Sequence, residues 1–308
     1  MPEDYPKTIL DLERRFSTEE NCRQYLFSLR WPDGFVCPHC YGKTAWPTNR
    51  GLWLCGSCRH QVSVTVGTIF QGSHLPLTMW FRAMWHVTSQ KSGMSALGLQ
   101  RVLGIGGYKT AWGLLHKLRR AMVRPGRELL SGTVEVDETY WGGEEEGVIG
   151  RQTYGKSLII VAAEEDGRGI GRIRLACLGD LTKVSLHGFI TRTVAPGSAL
   201  RTDGLPAYLG LEGYIHIRQI QRRQTVGIHL LPRAHRVISL LKRWLLGTHQ
   251  GAVNPEHLEY YLDEFTFRFN RRKSASRGKL FYRLAQHAVQ VEPTVFKSLI
   301  RPQHIGGG

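Results

Sequence analysis

The sequence predicts an α/β protein in which a mixed sheet flanked by helices follows two small N-terminal modules. Three observations carry this. Two Cys-x2-Cys knuckles, Cys37 with Cys40 and Cys55 with Cys58, stand fourteen residues apart, a spacing that suits a four-thiolate ribbon. Residues 77–122 then place apolar side chains at helical period. Beyond Arg124-Pro-Gly-Arg127 the texture changes to strand-length apolar runs broken by glycine turns, with helices interleaved later. At 308 residues the chain can bury a large core and divide into two or three domains.

In chain order, residues 1–34 read as a helical lead-in, with Leu10, Leu12, Phe16, Tyr25, Leu26 and Leu29 among charges. Ser17 with Glu20 three residues on makes a capping box for a helix over residues 19–30, and Trp31-Pro-Asp-Gly34 ends it. Residues 35–70 form the ribbon. Its four thiolates fill a tetrahedral Zn2+ site, so the metal is expected to be structural, and about 10–16 kcal/mol of apparent binding energy can fold a module with little core. His39 and His60 are surplus to it. Cys22 and Cys177 read as buried, inert thiols.

Residues 75–124 outline a helix-turn-helix. Helices are expected over residues 77–90, 95–103 and 108–122, with the glycine-rich turn at residues 104–107 between the last two. Lys109, His116, Lys117, Arg119 and Arg120 fall on the outer face of the last helix, which makes Lys109 and Arg119 candidate DNA contacts. The main domain follows at residues 130–272. Strands are expected at 133–140, 156–163 and 170–178, a helix at 184–194, a strand from Ala199 into Asp203, and a further strand at 214–220. Helices at 232–246 and 255–269 close it. Glu144, Glu145 and Glu146 read as a solvated loop tip, and residues 273–308 as a basic tail that frays.

Charge narrows the partner. Lys and Arg number 41 against 25 Asp and Glu, a formal +16, which favours a polyanion. No apolar run is long enough to span a bilayer, and the N-terminus lacks the pattern of an export signal. A cytoplasmic, nucleoid-associated protein is therefore expected, with double-stranded DNA as its partner and no membrane. From Gly213 to Pro255 there are 43 residues without an acid, containing Arg218, Arg222, Arg223, Arg233, Arg236, Lys242 and Arg243. Of these Arg222, Arg223, Arg236 and Arg243 are chosen as DNA contacts. Seven phosphate contacts would give a log–log salt slope of roughly −6.

Two acids end strands: Asp137 after the alternating Val134 and Val136, and Asp203 before a Gly-Leu-Pro turn. The element order allows their strands to lie side by side, which would bring both carboxylates to one rim. Paired carboxylates there could hold two Mg2+ or Mn2+ ions for phosphoryl transfer. His235 supplies the third candidate ligand from the helix that follows, and Lys242, seven residues on, shares its face and could bind a phosphate. Glu135 and Glu138 have no assigned role.

The four cysteines, the run Val134-Glu-Val-Asp-Glu-Thr-Tyr-Trp-Gly-Gly143, Arg201-Thr-Asp-Gly204, the segment from His235 to His249 and that from Tyr261 to Arg272 together resemble the zinc-ribbon insertion-sequence transposases. The resemblance spans nearly the whole chain. It implies an RNase H-like domain with a DDE-type site, hence metal-dependent cleavage and strand transfer at the ends of a mobile element, with Asp137 and Asp203 as the first two ligands. In such enzymes the third position is usually Glu, in some groups Asn or His, with Lys seven residues later; here it is His235 with Lys242. Glu264, Arg268 and Arg271 match a further Glu/Arg/Arg pattern, read as a supporting ion-pair cluster. A homodimer or larger assembly on DNA is implied too. The alternatives are a non-catalytic DNA-binding protein from a decayed transposase, and a nuclease of the same fold that cuts without joining.

Overall fold

The computed structural model describes residues 3–124, 126–143, 155–220 and 230–300. Glu144, Glu145, Glu146, Arg222 and Arg223 lie outside the described residues. The chain divides into two compact units, Met1–Pro125 with Lys273–Gly308, and Gly126–Arg272.

In the first unit, α1 (Ile9–Arg15) and α2 (Glu19–Arg30) open the chain. The cap of α2 is Thr18, whose side chain accepts from the Asn21 amide, one residue later than the expected Ser17. That shift leaves Glu19 free to cap a different helix. Its two carboxylate oxygens accept from the amides of Leu77 and Thr78 at 3.0 and 2.9 Å, the start of α3 (Leu77–Ser89), where Pro76 offers no side-chain acceptor. The ribbon is a three-stranded antiparallel sheet, β1 (Ala45–Pro47), β2 (Trp53–Cys55) and β3 (Gln61–Val62). Next, α4 (Ala96–Leu103) is capped by Ser95 and stopped by Gly104 at φ +64°, and α5 (Tyr108–Arg120) follows.

Of the tail expected to fray, the described part, up to Ile300, is instead structural. Lys273 onward returns to the first unit as α9 (Arg277–Ala288) and α10 (Phe296–Ile300). Leu280, Phe281, Leu284 and Ala285 are buried. Phe281 packs on Phe16, Tyr25, Phe81 and Trp85, and the Ile69 amide donates to the Ala288 carbonyl. An apolar stripe at helical period hid inside a basic composition. Burial likewise pushes the Cys22 thiol up to about 12, as suits an inert core residue.

The second unit is a five-stranded mixed sheet in the order β6-β5-β4-β7-β8. The strands are β4 (Thr133–Trp141), β5 (Ser157–Asp166), β6 (Gly169–Leu178), β7 (Ala199–Thr202) and β8 (Ile215–Arg218). Pairs β4–β5 and β5–β6 are antiparallel, while β4–β7 and β7–β8 are parallel. Renumbered from β4, this is order 3-2-1-4-5 with only the second strand reversed, the RNase H-like arrangement. Between β6 and β7, α6 (Lys183–Thr193) makes the crossover that a parallel pair requires. It covers one face of the sheet, where Leu186, Phe189 and Ile190 meet Val134, Val136, Ile160 and Leu200. The opposite face carries α7 (Pro232–His249) and α8 (Leu258–Asn270), with Val237, Leu241, Leu245, Leu258, Leu262 and Phe265 on Trp141, Ile159, Val161 and Ile173. Strand alternation therefore sends Val134 and Val136 toward α6, and Glu135, Asp137 and Trp141 toward α7.

Candidate active site

The four cysteines meet as expected. Their sulfurs all lie within 4.8 Å of one another, with Cys37–Cys58 at 3.7 Å and Cys40–Cys55 at 3.6 Å. Zn–S bonds of about 2.3 Å in a tetrahedron put sulfurs about 3.8 Å apart, so the cluster fits the ion. The backbone amide of Cys58, helped against burial by that of Ser57, holds the Cys55 thiol at about 6. Cys58 is pushed up to about 12: the His60 amide favours its thiolate, but crowding by the Cys40, Cys55 and Cys37 sulfurs outweighs it. Four sulfurs this close need a cation to hold them all as thiolates.

At the sheet, Asp137 is not at a strand end; it is the fifth of nine residues in β4, opposite Val161 on β5. Asp203 follows the last residue of β7. The parallel register matches Thr133 to Ala199, Val134 to Leu200 and Glu135 to Arg201. Continued two residues, it sets Asp137 level with Asp203. The strand adjacency that the sequence allowed is the one formed.

His235, in the first turns of α7, places Nε2 at 3.1 Å from Asp137 Oδ2. One edge of an octahedron with bonds of about 2.1 Å measures about 3.0 Å, so these two donors can share a divalent ion as adjacent ligands. Asp203 turns its Oδ1 to the Leu205 amide at 2.9 Å, opening a turn that leads into a short 3-10 helix, Pro206–Tyr208. The buried Tyr208 hydroxyl donates to Glu138 at 2.9 Å. Burial, then the carboxylates of Glu138, Asp137 and Asp203, raise the Tyr208 phenol well above its usual pKa, so it stays a donor. Among the described residues, only the four cysteines gather three or more ligand atoms within 4.8 Å.

The residue that sets α7 in place is Glu135, 1% exposed. It accepts from the amides of Arg233 at 2.7 Å and Ala234 at 2.9 Å, and from the Arg233 guanidinium at 3.1 Å. A carboxylate at a helix N-terminus satisfies amides that have no partner within the helix and complements the dipole. Two residues further along each element, Asp137 meets His235. In sequence Glu135 had no assigned role, and nothing local linked it to a helix almost a hundred residues away.

The same contact corrects the charge reading. Arg233 is held by Glu135 and by Glu165 at 2.5 Å, so it leaves the set of seven phosphate contacts. Arg236 and Arg243 are exposed on α7, as are Lys109 and Arg120 on α5. Arg119 and His116 are not on the outer face: they are 1% and 0% exposed, and Arg119 Nη1 lies 3.3 Å from His116 Nε2. Helical spacing alone cannot mark an outer face on a helix packed on several sides. Glu264 is fully buried in α8. Arg271 sits 4.0 Å over the Phe267 ring and donates to the Phe267 carbonyl.

Two families match the chain: the ISXO2-like transposase domain over residues 129–270 and the transposase zinc-ribbon domain over residues 17–61. The chain belongs to the zinc-ribbon insertion-sequence transposases. An uncharacterized protein in transposable element ISH50 of Halobacterium salinarum is 25% identical over 291 residues, covering 83% of this chain and 92% of the relative. A catalytic core domain of BIV integrase aligns with 48% of the transposase chain and 89% of its own, at 22% identity and a TM-score of 0.32. The two matched transposase domains contain all four zinc-ribbon cysteines as well as Asp137, Asp203, His235 and Lys242. No helix among the described residues is long and apolar enough to cross a membrane.

Proposed function

We propose that this transposase cleaves DNA at the ends of its insertion sequence and joins those ends to a target, with Asp137, Asp203 and His235 holding divalent cations, Mg2+ or Mn2+. The observation that supports this best is the contact of His235 on α7 with Asp137 on β4, the strand paired in parallel with β7, which Asp203 follows. Two such cations at this rim would activate the attacking oxygen and offset charge on the leaving oxygen of an in-line displacement.

The protein's own groups do the rest. Asp137, within β4, and Asp203, in the turn after the neighbouring strand β7, supply hard oxygen donors. His235 adds a nitrogen donor next to the Asp137 carboxylate. Lys242, on the same face of α7, takes the scissile phosphate or its neighbour. In cleavage, water attacks phosphorus and the P–O3′ bond breaks. In joining, the freed 3′-hydroxyl is the nucleophile and a target phosphodiester opens. Arg236, Arg243 and Lys109 bind DNA phosphates outside the reacting centre, and Arg222 and Arg223 are proposed to do the same. The Glu264, Arg268 and Arg271 group supports α8 behind the site.

The test uses DNA carrying the inverted repeats that flank this reading frame, incubated with purified protein and Mn2+. End nicking is expected, and Asp137→Ala and Asp203→Ala should each abolish it while DNA binding persists. His235→Ala should lose most of the activity and His235→Glu retain some. Cleavage that survives in either aspartate variant removes that residue from the site. Insertion into a target plasmid separates a transposase from a nuclease that only cuts.

A further inference from the structure

We propose that Lys156 joins Lys242 in a two-lysine site for a DNA phosphate where β4 ends, about 13 Å along the strand from Asp137. It rests on the reading that this rim receives DNA.

The placement follows from the direction of α7 along the sheet. Arg233 meets Glu135 and His235 meets Asp137, so the helix and β4 run the same way. Seven residues of helix from His235 to Lys242 rise about 10.5 Å. Four residues of strand from Asp137 to Trp141 rise about 13 Å. Lys242 is thus brought level with the end of β4, and Trp141 packs in the same core cluster as Leu241, the neighbour of Lys242.

Lys156 reaches that level from the other side. Trp141 pairs with Ser157, so Lys156 enters β5 next to Gly142. The lysine stem lies against that glycine: a Cβ on Gly142 would stand 2.9 Å from Lys156 Cγ and 3.2 Å from its Cα, and the glycine adopts φ +153°. The absent side chain is what lets the lysine cross there. Burial, and then the charge on Lys156, lowers the Lys242 pKa. Among the described residues, neither lysine forms an ion pair with a carboxylate. Two ammonium groups that repel each other are relieved by an anion able to accept from both. A phosphodiester, with two unesterified oxygens and a full charge, is such an anion on DNA.

The experiment measures the affinity of full-length, zinc-loaded protein for a fluorescent linear DNA duplex across a salt series. Lys156→Gln keeps most of the stem that packs on Gly142 while removing the charge. The log–log slope is expected to flatten by about 0.9 for Lys156→Gln, by about 0.9 for Lys242→Gln, and by about 1.8 for the double variant. Lys156→Arg should restore the wild-type slope. Gly142→Ala, which displaces the stem, should behave like Lys156→Gln. An unchanged slope in Lys156→Gln overturns the site. That failure is separable from failure of the catalytic reading: the Asp137→Ala and Asp203→Ala cleavage assays report on the acids alone, and neither variant touches the lysines.

Discussion

Replacing Glu135 tests how α7 is held. In Glu135→Ala, the amides of Arg233 and Ala234 lose their acceptor, at 2.7 and 2.9 Å, and the Arg233 guanidinium loses one of two carboxylate partners. Loss of a helix cap costs about 0.5–2 kcal/mol, and a hydrogen bond to a charged group about 1.5–3 kcal/mol. Removing one member of a buried ion pair costs about 3–5 kcal/mol where the other charge is left alone. Here Arg233 keeps Glu165 and the carbonyls of Gly167 and Gly169, so that range is an upper bound. A loss of about 3 kcal/mol is expected, a fall in Tm of about 6–12 °C for the unit that contains the sheet. Glu135→Gln keeps an oxygen for the amides and should lose about half as much. The assay is urea or thermal unfolding of the zinc-loaded chain, with cleavage measured well below the transition. Activity should fall there too, since His235 lies in the turn that Glu135 anchors. A destabilisation below 1 kcal/mol for Glu135→Ala would refute the capping argument.

Three other perturbations follow from the same structure. Burial would raise the Glu164 pKa, but Arg172 and the amides of Ser131 and Arg172 outweigh it and hold the carboxyl at about 2. A pKa lower in the folded than in the unfolded chain adds stability above the unfolded value, lost as pH falls from about 4.5 to about 2. Acid unfolding of Glu164→Gln should therefore lack that phase, as an unfolding series over this pH window would record. Cys40→Ser should release the zinc ion, read by metal analysis of the purified chain, and should open the ribbon while leaving the sheet unit's transition in place. Arg119→Ala should lower stability by about 2–4 kcal/mol, because it empties a buried volume beside His116, and the denaturation midpoint will show it.

Much of this molecule was legible locally. Two Cys-x2-Cys knuckles announce a tetrahedral site because each short turn aims two sulfurs at one point. Period-two alternation around Val134 and Val136 marks β4 as a strand with two different faces, and the strand–helix–strand order makes β4 and β7 natural neighbours. Asp137 and Asp203 could be paired on that basis. Helical stripes located α3, α5, α7 and α8 to within a few residues.

What needed the tertiary structure depends on contacts between distant segments. Glu135 and Asp137 have the same local pattern, yet one anchors a helix and the other faces its first turn; only the docking of α7, 98 residues away, separates them. Arg233 and Arg236 stand three apart on one basic run, but rotation of α7 turns the first into Glu135 and Glu165 and leaves the second exposed. Composition marked residues 273–300 as basic, whereas burial of Phe281 and Leu284 shows them to be core. Periodicity in a chain reports the geometry of one element. Which face of that element meets which partner is settled by sheet register and helix docking, and those arise from the summed packing of segments far apart in sequence.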